Sequence, residues 1–245
     1  MTDRTITRSP ILNARIAGIL YLIIIVFGIF AEVFIRSRLI VPNDAAVTAG
    51  NLLASEGLYR IGFLADSIMF LSDIALAVLF YILLRPVNRT LALVAMFFRL
   101  TQAAVLAFNL LNYHAPLLIL NGTEYQSAFG AEQVQALSSL FLELHSYGYD
   151  LGLLAFAVHC LILGYLIARS GYFPRILGML IGAAGLTYLI GGYTRFLFPE
   201  YVSLISPIYI IALVAELSLC LWLLVKGVNT QEWEKRTAAV VHTGL

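Results

Sequence analysis

Charge is what this sequence has least of. Asp, Glu, Lys and Arg make up 12% of its 245 residues, about half their share in a soluble domain. Hydrophobic residues make up 61% and the mean hydropathy is +0.90. A polar skin cannot be drawn from so few charges, so the composition excludes an ordinary soluble domain and points to one integral membrane domain. The net charge of +1 leaves no bulk basic character, which excludes nucleic acid as a partner class. Cysteine is also scarce. Cys160 and Cys220 both lie in apolar runs, with no CxxC spacing, so they read as small buried hydrophobes and not as zinc or redox groups. HExxH and HxxxH are missing as well, and neither a cofactor nor a resident metal is expected.

What is present is a series of long apolar runs, each near the roughly 20 residues that cross a bilayer as a helix. They cover about 14–35, 58–84, 90–115, 147–168, 174–197 and 203–225. The first is too long for a signal-peptide core and lacks a small-x-small site before Arg36, so it reads as a retained span. Pro116 is expected to disturb or end the third helix, and Pro174 to open the fifth. The expected fold is all-α, a polytopic transmembrane bundle of six spanning helices. It occupies residues 14–226, between tails at 1–13 and 227–245. One or two short interfacial helices are expected on the outer side. Asn43 or Asp44 would cap one running to about Glu56. Residues 131–146 would lie on the membrane or extend the fourth span.

Basic residues set the orientation. With both termini cytoplasmic, Arg4, Arg8, Arg15, Arg85, Arg89, Arg169, Arg175, Lys226, Lys235 and Arg236 face inside, against Arg36, Arg38, Arg60 and Arg195 outside. Tyr and Phe near the outer ends form an aromatic belt against membrane lipids. Gly178 and Gly182, one helical turn apart, leave a bare face for close packing, within the chain or against a second copy in a homo-oligomer.

The informative residues are polar ones inside apolar runs, where an ionised side chain costs on the order of 2.5–3.5 kcal/mol. From the turn Arg85-Pro86-Val87-Asn88-Arg89, Asp73 lies roughly 18 Å deep on the second span and Arg99 roughly 15 Å deep on the third. Matched depth on adjacent helices predicts a buried ion pair. Arg99, Gln102 and Asn109 fall within roughly 80° of one another and form a polar stripe. Asp66 shares a helix face with Asp73. Further out, Glu32, Asp66, Asn112, His114, His145, Asp150 and Arg195 lie near span ends and form a candidate cluster. His145 and Asp150 are about 140° apart on a helix, which argues against joint metal ligation. His159 and Glu216 remain near mid-membrane. Two readings are open for Glu216: Arg99 is the shared partner of Asp73 and Glu216, or Glu216 is protonated. The candidate ligand-binding residues are thus Asp66, Arg99, Gln102, Asn109, Asn112, His145 and Asp150.

Several stretches carry a resemblance: Ala14-Arg15-Ile16-Ala17-Gly18, Phe30-Ala31-Glu32-Val33, the turn 85–89, Phe97-Phe98-Arg99-Leu100-x-Gln102, His145-x-Tyr147-Gly148-Tyr149-Asp150 and Gly171-Tyr172-x-Pro174-Arg175-Ile176-Leu177-Gly178. With them the chain resembles, over about residues 10–228, the bacterial multi-pass membrane family catalogued as domain of unknown function 4386. The resemblance implies a six- or seven-span protein of the bacterial inner membrane and no particular activity. Three readings stay open. One is a small transport or ligand-binding bundle with a buried polar site between spans two, three, four and six. Another is an intramembrane lipid-directed or metal-dependent enzyme using His114, His145, Asp66 and Asp150. The last is a structural or accessory protein whose buried charges fix packing. No catalytic residue and no ligand can be named from the sequence.

Overall fold

The computed structural model describes residues 9–243, with side chains to Ala239; the first eight residues of the expected N-terminal tail lie outside it. Among the described residues all regular structure is helical, and six helices are long and apolar enough to cross a membrane. They are α1 (Pro10–Leu39), α3 (Glu56–Leu84), α4 (Arg89–Asn121), α6 (Ala131–Ser170), α7 (Arg175–Leu197) and the run Pro199–Val225, whose regular part is α8 (Tyr209–Val225). Shorter helices are α2 (Ala45–Ala54), α5 (Thr123–Ala128) and α9 (Thr230–Thr243). The chain is a multi-pass, all-helical membrane protein.

Local chemistry explains the ends. The Asp44 side chain accepts from Val47 N at 2.9 Å and caps α2, while Asn43 takes the left-handed conformation that turns the chain into it. Asn88 caps α4 by accepting from Leu91 N. Gly171 and Gly227 have φ of +80° and +68° just past α6 and α8, the C-terminal position that favours glycine.

Two expectations need correction, and the alternative left open at 131–146 is resolved. Pro116 does not end the third span: α4 continues to Asn121. A single proline removes one backbone bond, and the packing of Leu117, Ile119 and Leu120 into the core carries the helix past it. Residues 131–146 extend the fourth span as one 40-residue helix. The expected C-terminal tail contains α9, and α9 is docked. Trp233 Nε1 donates to Leu83 O at 3.0 Å, and Arg236 Nη1 donates to the Arg169 and Ser170 carbonyls at 2.6 and 2.7 Å. These carbonyls belong to the last turns of α3 and α6, where no intrahelical donor remains. The Tyr172 hydroxyl is a second donor to Leu83 O, at 2.7 Å.

The chain forms two compact units. One contains residues up to Leu22, Ser72–Gln102 and everything from Leu153. Within it α6 and α7 meet backbone to backbone. A Cβ on Gly164 would stand 2.6 Å from Gly178 O and 2.7 Å from Gly182 N, and one on Gly185 2.8 Å from Ala157 O. Of the Gly178/Gly182 face, Gly178 packs against Gly164 and Ala168 of α6 in the same chain, while a Cβ on Gly182 would meet nothing within 4 Å. Small residues win here because, in lipid, close packing and not hydrophobicity holds helices together.

The other unit contains Ile23–Leu71 and Ala103–Gly152. Its core includes Ile35, Leu39, Leu52, Leu110, Leu117 and Leu142. Tyr59 and Tyr113 fasten α3 to α4 reciprocally. Each hydroxyl donates to the other residue's backbone carbonyl, and the rings stack with centroids 4.1 Å apart. A Cβ on Gly62 would collide with the Tyr113 hydroxyl, so the clasp requires glycine there.

Candidate functional site

Each unit buries one polar constellation. In the first, Arg99 is fully buried. Its Nη2 donates to Asp73 Oδ1 at 2.5 Å, and Gln102 Nε2 donates to Asp73 Oδ2 at 3.3 Å. Arg99 Nη1 lies 3.1 Å from His159 Nε2, and His159 Nδ1 lies 2.8 Å from Ala95 O. Guanidinium only donates and a carbonyl only accepts, so His159 is the neutral tautomer with its proton on Nδ1. The rings of Phe156, Tyr21 and Phe80 surround the guanidinium carbon at 5.1, 5.5 and 5.8 Å. The cation is thus paired, hydrogen-bonded and boxed by aromatic faces.

Glu216 departs from the shared-partner reading. It does not share Arg99 with Asp73 by a direct bond; it accepts from the Tyr188 hydroxyl. The guanidinium fork is already aimed at Asp73 and His159, and a phenol one helix away meets the carboxylate with no extra charge. Tyr21 faces the same carboxylate without closing a hydrogen bond of ordinary geometry. Arg99 Nε and Gln102 Oε1 have no protein partner. What distinguishes this constellation is its carboxylate: Asp73 is bonded at both oxygens.

In the second constellation a carboxylate oxygen is left without a partner. A π-helical turn, Phe30–Arg36, ends the apolar part of α1; such turns are rare and gather at functional positions. It carries Glu32 and Arg36. Arg36 Nε donates to Glu32 Oε2 and Nη1 to Asp66 Oδ2, both at 2.7 Å. The Arg36 and Asp66 side chains are 11% and 5% exposed, so their pair is shielded, whereas Glu32 is 66% exposed. Asp66 Oδ1 is buried and has no hydrogen-bond partner, and an acceptor left that way costs about 1–3 kcal/mol. Asp66 lines a partly open crevice with Met69, Leu106, Leu110, His145 and Tyr149, with room for about one water-sized body.

His145 is held by a two-way bond to α4. Asn109 Nδ2 donates to His145 O at 2.7 Å, and His145 Nδ1 donates to Asn109 O at 3.2 Å. Asn112 Nδ2 supports Asn109 Oδ1 at 3.1 Å. A Cβ on Gly148 would collide with the Asn109 amide, so this approach needs glycine. With its proton on Nδ1, neutral His145 keeps only an acceptor, Nε2.

The stripe expected from Arg99 to Asn109 is divided in use: Arg99 and Gln102 serve Asp73, and Asn109 serves His145. Glu32, Asp66, Asn112, His114, His145 and Asp150 fall in one unit and Arg195 in the other. His114 packs edge-on to Phe63, with centroids 5.9 Å apart. Among the described residues no three His, Cys, Asp or Glu side chains gather as a metal-binding group. His114, His145, Asp66 and Asp150 are thus not gathered as such a group. Sequence reasoning missed Arg36, Tyr59, Tyr113 and Tyr188. The two central tyrosines did leave a signal, because Tyr59 and Tyr113 are centred on Pro86 just as Asp73 and Arg99 are.

No solved structure matches the chain. An uncharacterised protein of Archaeoglobus fulgidus is 28% identical over 165 residues, which span 67% of this chain and 83% of that one. A family model, described as Domain of unknown function (DUF4386), matches residues 16–227. With nearly the whole helical region inside that match, the chain belongs to the DUF4386 family.

Proposed function

We propose that this protein is a small transport or ligand-binding bundle of the cell membrane, and that its ligand site is the Asp66 crevice. One observation carries the reading: Asp66 is 4% exposed, one of its carboxylate oxygens has no hydrogen-bond partner, and the residue borders a small crevice. Structural carboxylates in apolar surroundings are bonded at both oxygens, as Asp73 is by Arg99 and Gln102. The supporting parts suit a held site. Arg36 fixes one oxygen, Asn109 orients His145, and the Tyr59–Tyr113 clasp secures the helices that carry Asp66 and Asn109. The Arg99 constellation belongs to the scaffold. The expected setting is the bacterial inner membrane with both termini cytoplasmic, on the strength of the basic-residue bias.

The test is carbodiimide labelling. Purified protein is treated with dicyclohexylcarbodiimide, an apolar reagent for membrane carboxyl groups, and the adducts are mapped by mass spectrometry. Asp66 is expected to take label and Asp73 to stay unmodified. If Asp66 is as inert as Asp73, its carboxyl is not available to a ligand and the reading falls.

A further inference from the structure

One end of the first unit is basic, and its cations are not neutralised by neighbours. Arg85 and Arg89 flank the α3–α4 turn, Arg169 and Arg175 flank the α6–α7 turn, Lys226 follows α8 and Lys235 lies on α9. Hydrogen bonds hold these pieces together. Tyr172 and Trp233 both donate to Leu83 O, Arg236 donates to the Arg169 and Ser170 carbonyls, and Asn229 N donates to Tyr172 O at 3.3 Å. All six side chains are exposed. Among the described residues no ion pair joins any of them to a carboxylate. Of the carboxylates described in this unit, Asp73 and Glu216 are buried in the Arg99 constellation and Glu200 follows the far end of α7. Only Glu232 and Glu234, on α9, share the basic end. In the second unit, by contrast, Arg36 is bonded to Glu32 and Asp66, and Arg60 to Glu56.

Helix stability does not account for the pattern. A cation suits the C-terminal end of a helix, which covers Arg85, Arg169 and Lys226. Arg89 and Arg175, however, are the first residues of α4 and α7, where the helix dipole disfavours positive charge. The adjoining surface is apolar. Ile176 beside Arg175 and Val225 beside Lys226 are exposed, and the Arg169 guanidinium lies 5.8 Å over the exposed ring of Tyr165. These cations border bare apolar surface on helices long enough to cross a membrane. A soluble anion would use the charge alone. A phospholipid uses both, with its phosphate on the guanidinium groups and its acyl chains on the apolar flank. Guanidinium takes phosphate through two parallel N–H bonds, and clusters of four to eight Lys and Arg at the ends of spans favour anionic lipid. We infer that this end selects anionic phospholipids from the leaflet it meets, seating their phosphates on Arg85, Arg89, Arg169 and Arg175. A zwitterionic lipid carries the same phosphate together with a cation that the patch repels. The inference does not depend on the Asp66 site.

Both tryptophans of the chain report on this end: Trp222 Nε1 donates to Gly227 O and Trp233 Nε1 to Leu83 O, each at 3.0 Å. The full-length protein is reconstituted into phosphatidylcholine whose brominated acyl chains quench tryptophan fluorescence. Unbrominated phosphatidylglycerol or phosphatidylcholine is then mixed in. Phosphatidylglycerol is expected to relieve quenching at about one fifth of the mole fraction that phosphatidylcholine needs. The advantage should vanish in about 0.5 M sodium chloride. Arg169→Gln combined with Arg175→Gln should at least halve it, and Arg60→Gln, whose parent is already paired with Glu56, should leave it unchanged. Equal curves for the two lipids at low salt overturn the proposal, and that comparison needs no variant to fold. An advantage that survives high salt, or that the double variant keeps in full, overturns it as well. Glycerol phosphate, which has the same phosphate and no acyl chains, is expected to displace no lipid at constant ionic strength. If it restores quenching to the phosphatidylcholine level, the face takes soluble phosphate and the lipid assignment is wrong.

Discussion

His159 stands between Ala95 and Arg99, giving its Nδ1 proton to the Ala95 carbonyl at 2.8 Å and its Nε2 lone pair to the guanidinium at 3.1 Å. The ring converts a backbone carbonyl of α4 into support for a fully buried cation, and it can do so only while neutral. His159→Phe keeps the volume and strands one Arg99 donor. It is expected to cost about 1.5–3 kcal/mol in reversible unfolding in mixed micelles. An unchanged unfolding curve would show that the bridge is incidental.

Asp73 and Arg99 are expected to behave as one unit. Breaking a buried pair from one side leaves an unpaired charge, so Asp73→Asn and Arg99→Met should each destabilise by about 3–5 kcal/mol. The double variant should fall well short of their sum. A double-mutant cycle measures the coupling; additive losses would mean that the two side chains do not depend on each other.

The tyrosine clasp makes a prediction about a glycine. Gly62→Ala places a methyl against the Tyr113 hydroxyl and should destabilise by about 1–3 kcal/mol. In a Tyr113→Phe background the hydroxyl is gone and the same change should cost clearly less. Equal costs in both backgrounds would point to helix propensity alone.

Removal of α9 by truncation after Asn229 leaves the Arg169 and Ser170 carbonyls without Arg236 and Leu83 O with Tyr172 alone. Hydrogen exchange should quicken at the ends of α3 and α6 and stay unchanged at the Tyr59–Tyr113 clasp. Uniform exchange at both places would separate α9 from helix capping.

Tyr172 lies between α6 and α7, and burial pushes its phenol up from the ordinary value near 10. The folded protein then holds the proton more tightly than the unfolded chain. That stability is fully present below pH ~10 and is lost as pH rises above it. Tyr172→Phe gives up the bond to Leu83 O but should flatten the alkaline fall in Tm. A fall of identical slope in the variant would assign the alkaline transition to other groups.

The sequence by itself determined the solvent, the number of spans and the hairpin partners. Apolar length and charge scarcity are summed properties, insensitive to side-chain detail, and they are legible without a structure. The pairing of Asp73 with Arg99 was within reach because a short turn makes depth on α3 and α4 a matter of counting from Pro86, and the same counting joins Tyr59 to Tyr113. Tertiary structure alone decided the rest. Arg36 read as an outer anchor and is the counter-ion of Asp66, because a π-helical turn with no sequence signature sets where its side chain reaches. Glu216 found a phenol and not Arg99, since which of several nearby donors meets a carboxylate depends on angles that spacing does not record. The free oxygen of Asp66, on which the functional proposal stands, is a property of its whole surroundings: a group is unpaired only when every neighbour has been placed.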